Sequence, residues 1–339
     1  MRRLSLSRPV HLRPVDLDVV FLGTSGSAPT AQRATSATLI RRGGDRILID
    51  CGEGTQRQLL RSDVGLVDLE HVFLTHFHAD HYLGLPGMLK TFALRGREVP
   101  LKIYGPVGLH SLLSDLRRVF GRLTYELDVI ELDPADVLER SGYEIRPFAV
   151  DHGSPALGYV FVEATRPGRF DVALSDALGV PEGRERGSLQ RGEAVTLADG
   201  RTVTPEQVLG PTRPGRAVAI TGDTAPCASV VDAATGADVL VHEATFCADE
   251  RERARETRHS TAGEAGLAAR EAGVKLLALT HLSSRYFSSE VADEARQLFP
   301  EAVVPRDFDT IEIPFAEHGR PSLVPRGARR SREAPAPPV

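Results

Sequence analysis

The sequence predicts an α/β protein with two central β-sheets and helices outside them, an αββα four-layer sandwich. Short apolar runs typical of β-strands recur along the 339 residues. Helical patterns lie between several of these runs. The strands come first and then alternate with helices, and this order favours two sheets in the middle of the fold with helices on the outside.

The elements follow from these patterns in chain order. The predicted strands are residues 18–23, 36–42, 46–51, 71–76, 101–105, 156–162, 217–223, 239–244 and 276–281. The predicted helices are residues 55–62, 108–121, 261–273 and 288–299. The body of the domain is therefore predicted to run from residue 16 to residue 316.

Three segments do not follow this alternation of predicted strands and helices. Residues 1–15 carry arginines and prolines without periodicity and are predicted to be a flexible extension. Residues 317–339 are rich in Pro, Ala and Arg and are predicted to be a disordered tail. Residues 166–212 are rich in Gly, Pro and charge, and we expect an insertion that protrudes from the core, with its arm at about 166–200.

Composition limits the classes of function. The net charge of −5 means that nucleic-acid binding would require a local basic surface. No stretch reaches the roughly 18 apolar residues of a membrane span, so no membrane association is expected. The N-terminal residues lack the apolar region of a secretory signal. The three cysteines are too few for a disulfide framework, which favours a reducing, cytoplasmic location.

Residues 74–84, LTHFHADHYLG, place three histidines and an aspartate directly after a predicted strand. His76 and His78 are two positions apart and would point the same way in an extended turn, so they can bind one metal ion. Asp80 and His81 would point towards a second ion. Imidazole and carboxylate suit Zn²⁺, with Mn²⁺ or Fe²⁺ as alternatives. A polar turn with Asp80 as a helix N-cap is the alternative, but it leaves the clustered histidines unexplained.

This segment matches a His-x-His-x-Asp-His signature and so resembles the metallo-β-lactamase superfamily. The resemblance implies the metallo-β-lactamase fold and further ligands at later strand ends, namely His152, Asp223 and His281. It implies two Zn²⁺ ions per subunit, with Asp223 bridging them. One ion would be held by His76, His78 and His152, and the other by Asp80, His81 and His281. Such a pair of ions can activate a shared water for attack on phosphorus.

Four further segments are similar to signatures of the ribonuclease Z family. They are DCGEGTQRQL (50–59), VHEATF (241–246), RHST (258–261) and THLSSRY (280–286). The resemblance implies a zinc-dependent endoribonuclease that cuts the 3′ trailer from precursor tRNA after the discriminator base and leaves a 3′-hydroxyl. It also implies a homodimer in which the arm of one subunit serves the metal cleft of its partner.

The departing ribose oxygen of a phosphodiester needs a proton. We predict that His259 donates it as general acid, that Glu243 orients His259, and that Asp80 accepts the proton of the attacking water. A salt bridge near a helix start is the alternative for Glu243 and His259. Asp50 is expected to support the histidine loop by hydrogen bonds, and His242 is expected to be structural.

Three segments are predicted to bind the substrate. Ser283, Arg285 and Tyr286 directly follow a predicted metal ligand, and Arg285 can bind a phosphate while Tyr286 stacks on a base. The alternative is a purely structural role, with Arg285 in a surface salt bridge and Tyr286 in the core. Arg33 lies in a loop that resembles the family's Pro-x-Lys-x-Arg-Asn motif. Ala31 and Ala34 replace the lysine and the asparagine there, so discrimination against CCA ends is expected to differ.

The arm at 166–200 resembles the tRNA-docking arm of the family, a helical hairpin. Its arginines Arg184, Arg186 and Arg191 are predicted to contact phosphates, although Glu182 and Glu185 interrupt them. A solvated charged loop is the alternative for this arm.

Two other functions stay open at this point. A metal-dependent phosphodiesterase or lactonase acting on a small molecule would have no use for the arm. An RNA-binding protein with structural metals would have no use for the acid and base residues.

Overall fold

The computed structural model describes residues 16–66 and 69–328. Its strands are β1 (Leu17–Gly23), β2 (Ala37–Arg42), β3 (Asp45–Ile49), β4 (His71–Phe73), β5 (Leu101–Gly105), β6 (Leu127–Glu131), β7 (Leu138–Arg140), β8 (Tyr143–Ala149), β9 (Leu157–Glu163), β10 (Val195–Thr196), β11 (Thr202–Val203), β12 (Ala217–Ile220), β13 (Val239–Glu243), β14 (Leu276–Thr280), β15 (Ala302–Val303), β16 (Thr310–Glu312) and β17 (Ser322–Val324). Its helices are α1 (Thr55–Arg61), α2 (Ala79–Tyr82), α3 (Gly84–Leu94), α4 (Leu109–Phe120), α5 (Val172–Ala177), α6 (Arg184–Gln190), α7 (Ala228–Ala234), α8 (Arg251–Glu256), α9 (Ala262–Ala272) and α10 (Ser288–Arg296).

The first sheet has eight strands in the order β17-β16-β1-β2-β3-β4-β5-β6. Strands β1, β2 and β3 pair antiparallel, whereas β3, β4, β5 and β6 pair parallel. Every residue of β1 is buried, which is typical of a strand covered on both faces. On one face, Val20 and Leu22 join a core formed with the helices; among the helix residues in it are Leu59, Met88 and Leu113.

The second sheet has the order β15-β14-β13-β12-β9-β8-β7, with β12 to β15 in parallel. Helix α9 packs against β13 and β14 and against α7 and α10. Its N-terminus has a capping box, in which Thr261 and Glu264 each accept the other's backbone N–H. Its C-terminus ends at Gly273, whose φ of 64° is the left-handed conformation that glycine adopts without strain.

Aromatic residues join the inner faces of the two sheets. Phe73 of β4 stacks on Tyr104 of β5 at 4.3 Å and meets Tyr159 of β9 edge-on at 5.1 Å. The buried Tyr159 hydroxyl donates a hydrogen bond to the carbonyl oxygen of Leu74 at 2.7 Å. Two packed sheets with helices outside them confirm the predicted sandwich. Among the described residues, no helix combines the length and apolar character needed to cross a bilayer.

The chain divides into two compact units, and the second comprises Leu138–Ile145 and Phe161–Ala217. This second unit contains α5, α6 and the β10–β11 hairpin, around a small core of its own. The buried residues of that core are Val180, Leu189, Val203 and Val208. The predicted arm at 166–200 lies inside this wider unit, and its docking role stays a prediction.

We expect Leu189→Ala to destabilise the second unit by about 3 kcal/mol, because the side chain is fully buried in a core too small to repack. Amide hydrogen exchange should show faster exchange at 161–217 and unchanged protection of β1 to β5. Leu174→Ala in α5 is the matched control, because Leu174 is half exposed. Unchanged exchange at 161–217 would contradict the prediction.

The C-terminal boundary of the domain differs from the prediction. The prediction of a disordered tail from residue 317 was wrong for Ser322–Val324. These residues form β17 and pair antiparallel with β16. Prolines at 321 and 325 flank this strand, and it lies at the edge of the sheet, where flanking prolines remove no ladder hydrogen bond. Residues 329–339 and the predicted extension 1–15 lie outside the described residues.

Candidate metal centre and catalytic site

The predicted ligands meet at the carboxyl ends of the strands. Such ends are where α/β sheets usually bind ligands. The ligands follow four different strands: the His76–His81 loop follows β4, His152 follows β8, Asp223 follows β12, and His281 follows β14. Their donor atoms form two groups, and within each group all donor atoms lie within 4.8 Å of one another.

The first group contains three imidazoles and one carboxylate. His78 Nδ1 lies 3.1 Å from His76 Nε2 and 3.1 Å from His152 Nε2. Asp223 Oδ2 lies 3.7 Å from His76 Nε2 and 3.8 Å from His152 Nε2. Three ring nitrogens and a carboxylate oxygen that face one another form a ligand set suited to a divalent cation.

The second group contains Asp80, His81 and His281. Asp80 Oδ2 lies 3.1 Å from His281 Nε2 and 3.6 Å from His81 Nε2. Asp80 Oδ2 also accepts the backbone N–H of Ser27 at 2.7 Å, which fixes the carboxylate. The sequence-based grouping of these three side chains therefore matches the arrangement of their donor atoms.

Asp223 lies between the two groups. Its Oδ2 is 3.2 Å from His281 Nε2 and 3.4 Å from His81 Nε2, besides its contacts with the first group. Its Oδ1 is buried and has no hydrogen-bond partner among the described residues. A buried carboxylate oxygen without a partner is costly, and a bound cation would remove that cost. The cluster thus indicates a divalent metal.

The pKa shifts of His76, His78 and Asp80 favour metal binding, whereas the carboxylates of Asp223 and Asp50 raise the pKa of His81. Burial, followed by the charge of His81, lowers the pKa of His76 well below its ordinary value. Burial likewise lowers the pKa of His78, which keeps both imidazoles neutral and able to donate a lone pair. Burial works against the ionised form of Asp80, but the hydrogen bond from His281 and the charges of His81 and His281 together outweigh it and hold the pKa of Asp80 below its usual range.

Asp50 supports the histidine loop, as predicted. Its Oδ1 accepts the backbone N–H of Thr75 at 2.8 Å, and its Oδ2 lies 2.8 Å from His81 Nδ1. A carboxylate bonded to one nitrogen of a ligating imidazole fixes which nitrogen faces the metal. These two contacts confirm the buttressing role.

The backbone near the centre is strained at three positions. Asp50, Arg258 and His281 have φ values of 61°, 56° and 56°, a region that non-glycine residues rarely adopt. The conformation at Arg258 presents its carbonyl oxygen 2.9 Å from His152 Nδ1. Such strain concentrates at functional sites, where the surrounding structure holds it in place.

Glu243 and His259 form a pair beside the metal ligands. His259 Nδ1 lies 2.8 Å from Glu243 Oε1 and 3.9 Å from Asp223 Oδ2. The same Glu243 oxygen accepts the backbone N–H of Thr224 at 2.8 Å. Burial lowers the pKa of His259, but the Glu243 carboxylate outweighs it and raises that pKa to about 9. His259 therefore holds its proton at neutral pH.

Thr245 is a site residue that the sequence analysis did not identify. Its hydroxyl lies 2.5 Å from Glu243 Oε2 and 2.8 Å from His281 Nδ1, so it connects the pair to a ligand. Thr245 comes two positions after Glu243, and this spacing along extended backbone could have indicated it. His242 is buried and its Nδ1–H donates to the carbonyl oxygen of Glu243 at 2.7 Å, in agreement with a structural role.

The predicted substrate-binding residues of the first unit already have protein partners. The Arg33 guanidinium donates to the carbonyl oxygen of Pro305 at 2.8 Å and to Ser288 Oγ at 2.9 Å. Arg285 pairs with Glu250 at 2.7 Å, and the Tyr286 hydroxyl donates to Asp249 at 3.0 Å.

Ser283 Oγ accepts the backbone N–H of Arg285 at 3.4 Å, so it stabilises the local turn. The alternative of a surface salt bridge agrees with the contact of Arg285, whereas Tyr286 is half-buried rather than a core residue, and substrate binding by this segment stays a prediction.

The three arginines of the second unit that are predicted to contact phosphates differ in their exposure and in their protein partners. Arg186 is bound to Asp176 and to the carbonyl oxygen of Val180. Arg191 pairs with Glu193 at 3.1 Å on the surface. Arg184 is exposed at the start of α6. Arg186 thus stabilises its own unit, and of the three predicted arginines only Arg184 and Arg191 are exposed.

Gly52 lies where the loop after β3 touches the loop of ligands. A Cβ at this position would be 2.2 Å from the carbonyl oxygen of Asp80. We expect Gly52→Ala to displace Asp80 and to weaken metal binding about 10- to 100-fold, as loss of a supporting contact does. Calorimetric titration with Zn²⁺ would measure this. Gly87→Ala is the control, because its Cβ would have only an ordinary contact of 3.5 Å. Equal affinities of the two variants would contradict the prediction.

The fold and this centre define a metal-dependent hydrolase of the αββα type. The family model described as "Metallo-beta-lactamase superfamily" matches residues 30–243, and the chain belongs to that superfamily.

Individual relatives identify the family within this superfamily. The ribonuclease Z of Myxococcus xanthus is 48% identical over 305 residues, which cover 89% of this chain and 99% of that protein. The ribonuclease Z of Natronomonas pharaonis is 48% identical over 308 residues and is covered completely. The crystal structure of the human tRNase Z short form matches with a TM-score of 0.65 at 28% identity, over 88% of this chain. The chain is an endoribonuclease of the ribonuclease Z family.

Proposed function

We propose that this protein removes the 3′ trailer from precursor tRNA, cutting after the discriminator base and leaving a 3′-hydroxyl on the tRNA, with two Zn²⁺ ions per subunit. The observation that carries the proposal is the Glu243–His259 pair, 2.8 Å apart, beside a ligand cluster centred on Asp223. The names of the relatives support tRNA as the substrate and do not favour the alternative of a small-molecule phosphodiesterase or lactonase.

The two donor groups would each hold one ion. His76, His78 and His152 would hold the first, Asp80, His81 and His281 the second, and Asp223 would bridge them. Such ions supply Lewis acidity that lowers the pKa of a water and neutralises charge at the phosphate.

Two protein side chains accept and donate the protons of the reaction. In an in-line displacement, a bond forms between the water oxygen and phosphorus while the bond from phosphorus to the ribose 3′-oxygen breaks. Asp80, held ionised by His281, accepts the proton of the attacking water. His259, held protonated by Glu243, donates a proton to the departing 3′-oxygen.

The oligomeric state and the tRNA-docking role of the second unit are part of the same proposal. We propose a cytoplasmic homodimer in which the second unit docks the tRNA, with the exposed Arg184 and Arg191 contacting phosphates. The double substitution Arg184→Glu and Arg191→Glu tests this, since it should raise the KM for precursor tRNA and spare turnover of a small diester. Light scattering tests the dimer, and a fully active monomer would contradict it.

One cutting experiment tests the proposed reaction. Zn²⁺-loaded protein is incubated with a trailer-bearing precursor tRNA, with and without a chelator, beside a small model diester. We expect a product that ends at the discriminator base with a 3′-hydroxyl, and loss of that product with the chelator. Turnover of the model diester without any cut in the precursor would overturn the proposal.

A further inference from the structure

Phe287 is the only exposed aromatic side chain in the part of the chain that the structure describes. Its relative exposure is 77%, higher than that of any neighbouring apolar residue. Exposed apolar residues are common on protein surfaces, but aromatic rings usually bury most of their area. Phe287 lies six residues after the candidate ligand His281, which makes it a candidate contact residue.

The backbone around Phe287 is held by hydrogen bonds. The N–H of Phe287 donates to Glu290 Oε2 at 2.7 Å at the start of α10. The preceding residues are fixed by acidic partners, Arg285 by Glu250 and Tyr286 by Asp249. The ring is thus presented to solvent from an ordered turn, so little conformational entropy would be lost when it binds a ligand.

The same turn is attached to the loop that contacts the ligand cluster. Leu282 donates its N–H to Thr24 and accepts the N–H of Gly26, each at 3.0 Å. Ser27 in this loop donates to Asp80, and Ser288, next to Phe287, accepts from Arg33 at 2.9 Å.

Phe287 follows the ligand His281 by six residues, at most roughly 21 Å even when fully extended. This upper limit allows the ring to reach nucleotides near the bond that is cut.

We propose that Phe287 is a base-stacking residue whose ring packs on a nucleobase that flanks the scissile phosphate. The inference rests on the proposed function, because it assigns part of the substrate recognition at that site. Every nucleobase has a flat π-face, so an exposed ring binds a splayed base whatever its identity. Tyr286, which the sequence analysis selected for this role, has its hydroxyl bound to Asp249 and is only partly exposed.

The test compares Phe287→Ala, Phe287→Trp and the control Leu94→Ala, which removes an equally exposed apolar side chain at the end of α3. The substrates are precursor tRNAs with all bases present, with an abasic discriminator, or with an abasic first trailer nucleotide. Stacking of this kind corresponds to a change of about 5- to 100-fold in affinity.

We expect Phe287→Ala to raise KM by that factor with kcat nearly unchanged, and Phe287→Trp and Leu94→Ala to resemble the unsubstituted protein. On the substrate that lacks the stacked base, the unsubstituted protein and Phe287→Ala should have the same KM, and this identifies the nucleotide.

Three results would overturn the inference. Phe287→Ala could match Leu94→Ala on the intact precursor. Its rise in KM could persist on both abasic substrates. Or light scattering could show that Phe287→Ala turns a dimer into a monomer, which would make the ring a protein contact.

If the proposed function is wrong, the experiment gives a result that differs from failure of the stacking inference. In that case the unsubstituted protein leaves the precursor intact while it hydrolyses the model diester. The stacking is then tested by the binding of a fluorescent single-stranded RNA, and equal affinity of the unsubstituted protein and Phe287→Ala would overturn it.

Discussion

Replacement of Asp80 by alanine is expected to reduce the kcat for precursor tRNA by roughly 10³- to 10⁴-fold, a loss typical of an essential acid or base. The carboxylate contributes one donor atom to the second ligand group and is the proposed acceptor of the water proton. The tRNA should still bind, because the arginines of the second unit that we propose to contact phosphates are unchanged.

Two measurements separate chemistry from binding in this variant. Single-turnover cutting gives the rate, and a gel-shift titration gives the affinity for the precursor. Asp115→Ala on the exposed side of α4 is the control and should behave like the unsubstituted protein. Cutting by Asp80→Ala within tenfold of the unsubstituted protein would refute the assignment.

The second large effect is expected for His259→Ala, about 10²- to 10⁴-fold in kcat. The imidazolium that Glu243 stabilises would be lost, and the ribose 3′-oxygen would have to leave without a proton. A substrate with sulfur in place of that bridging oxygen needs little protonation, because a thiolate is a much better leaving group. The loss caused by His259→Ala should therefore shrink to less than about tenfold on the sulfur substrate.

The sulfur substrate separates the two roles that the geometry allows for His259. One of its ring nitrogens also lies in a group with Asp223 and His281 that could bind a metal ion. An equal loss on the oxygen and sulfur substrates would identify His259 as a ligand rather than a proton donor. His110→Ala, an exposed histidine on α4, is the control for loss of an imidazole elsewhere.

The sequence predicted the sandwich, and it selected side chains that the structure brings together in one cluster, for a physical reason. Ligands at strand ends follow apolar runs whose period is visible locally, as for Asp223 after β12 and His281 after β14. Short edge strands such as β17 have no such run, so they were missed. Their pairing depends on a neighbouring strand rather than on their own composition.

The sequence could not show which partners from distant parts of the chain the predicted substrate-binding residues contact. The sequence shows that Arg285 is basic, but not that Glu250 lies 2.7 Å away. It shows Arg33, but not the Pro305 carbonyl oxygen that its guanidinium binds. The exposure of Phe287 also depends on which residues fail to cover it, and no local pattern encodes that.

The donors of the centre extend along the chain from His76 to His281. On the proposed ligand assignment, a ribosome-bound chain that has not yet emerged beyond β14 lacks His281 and has an incomplete second donor group, however well its first sheet has formed. We therefore expect nascent fragments to be inert towards the transcripts around them until synthesis has passed β14.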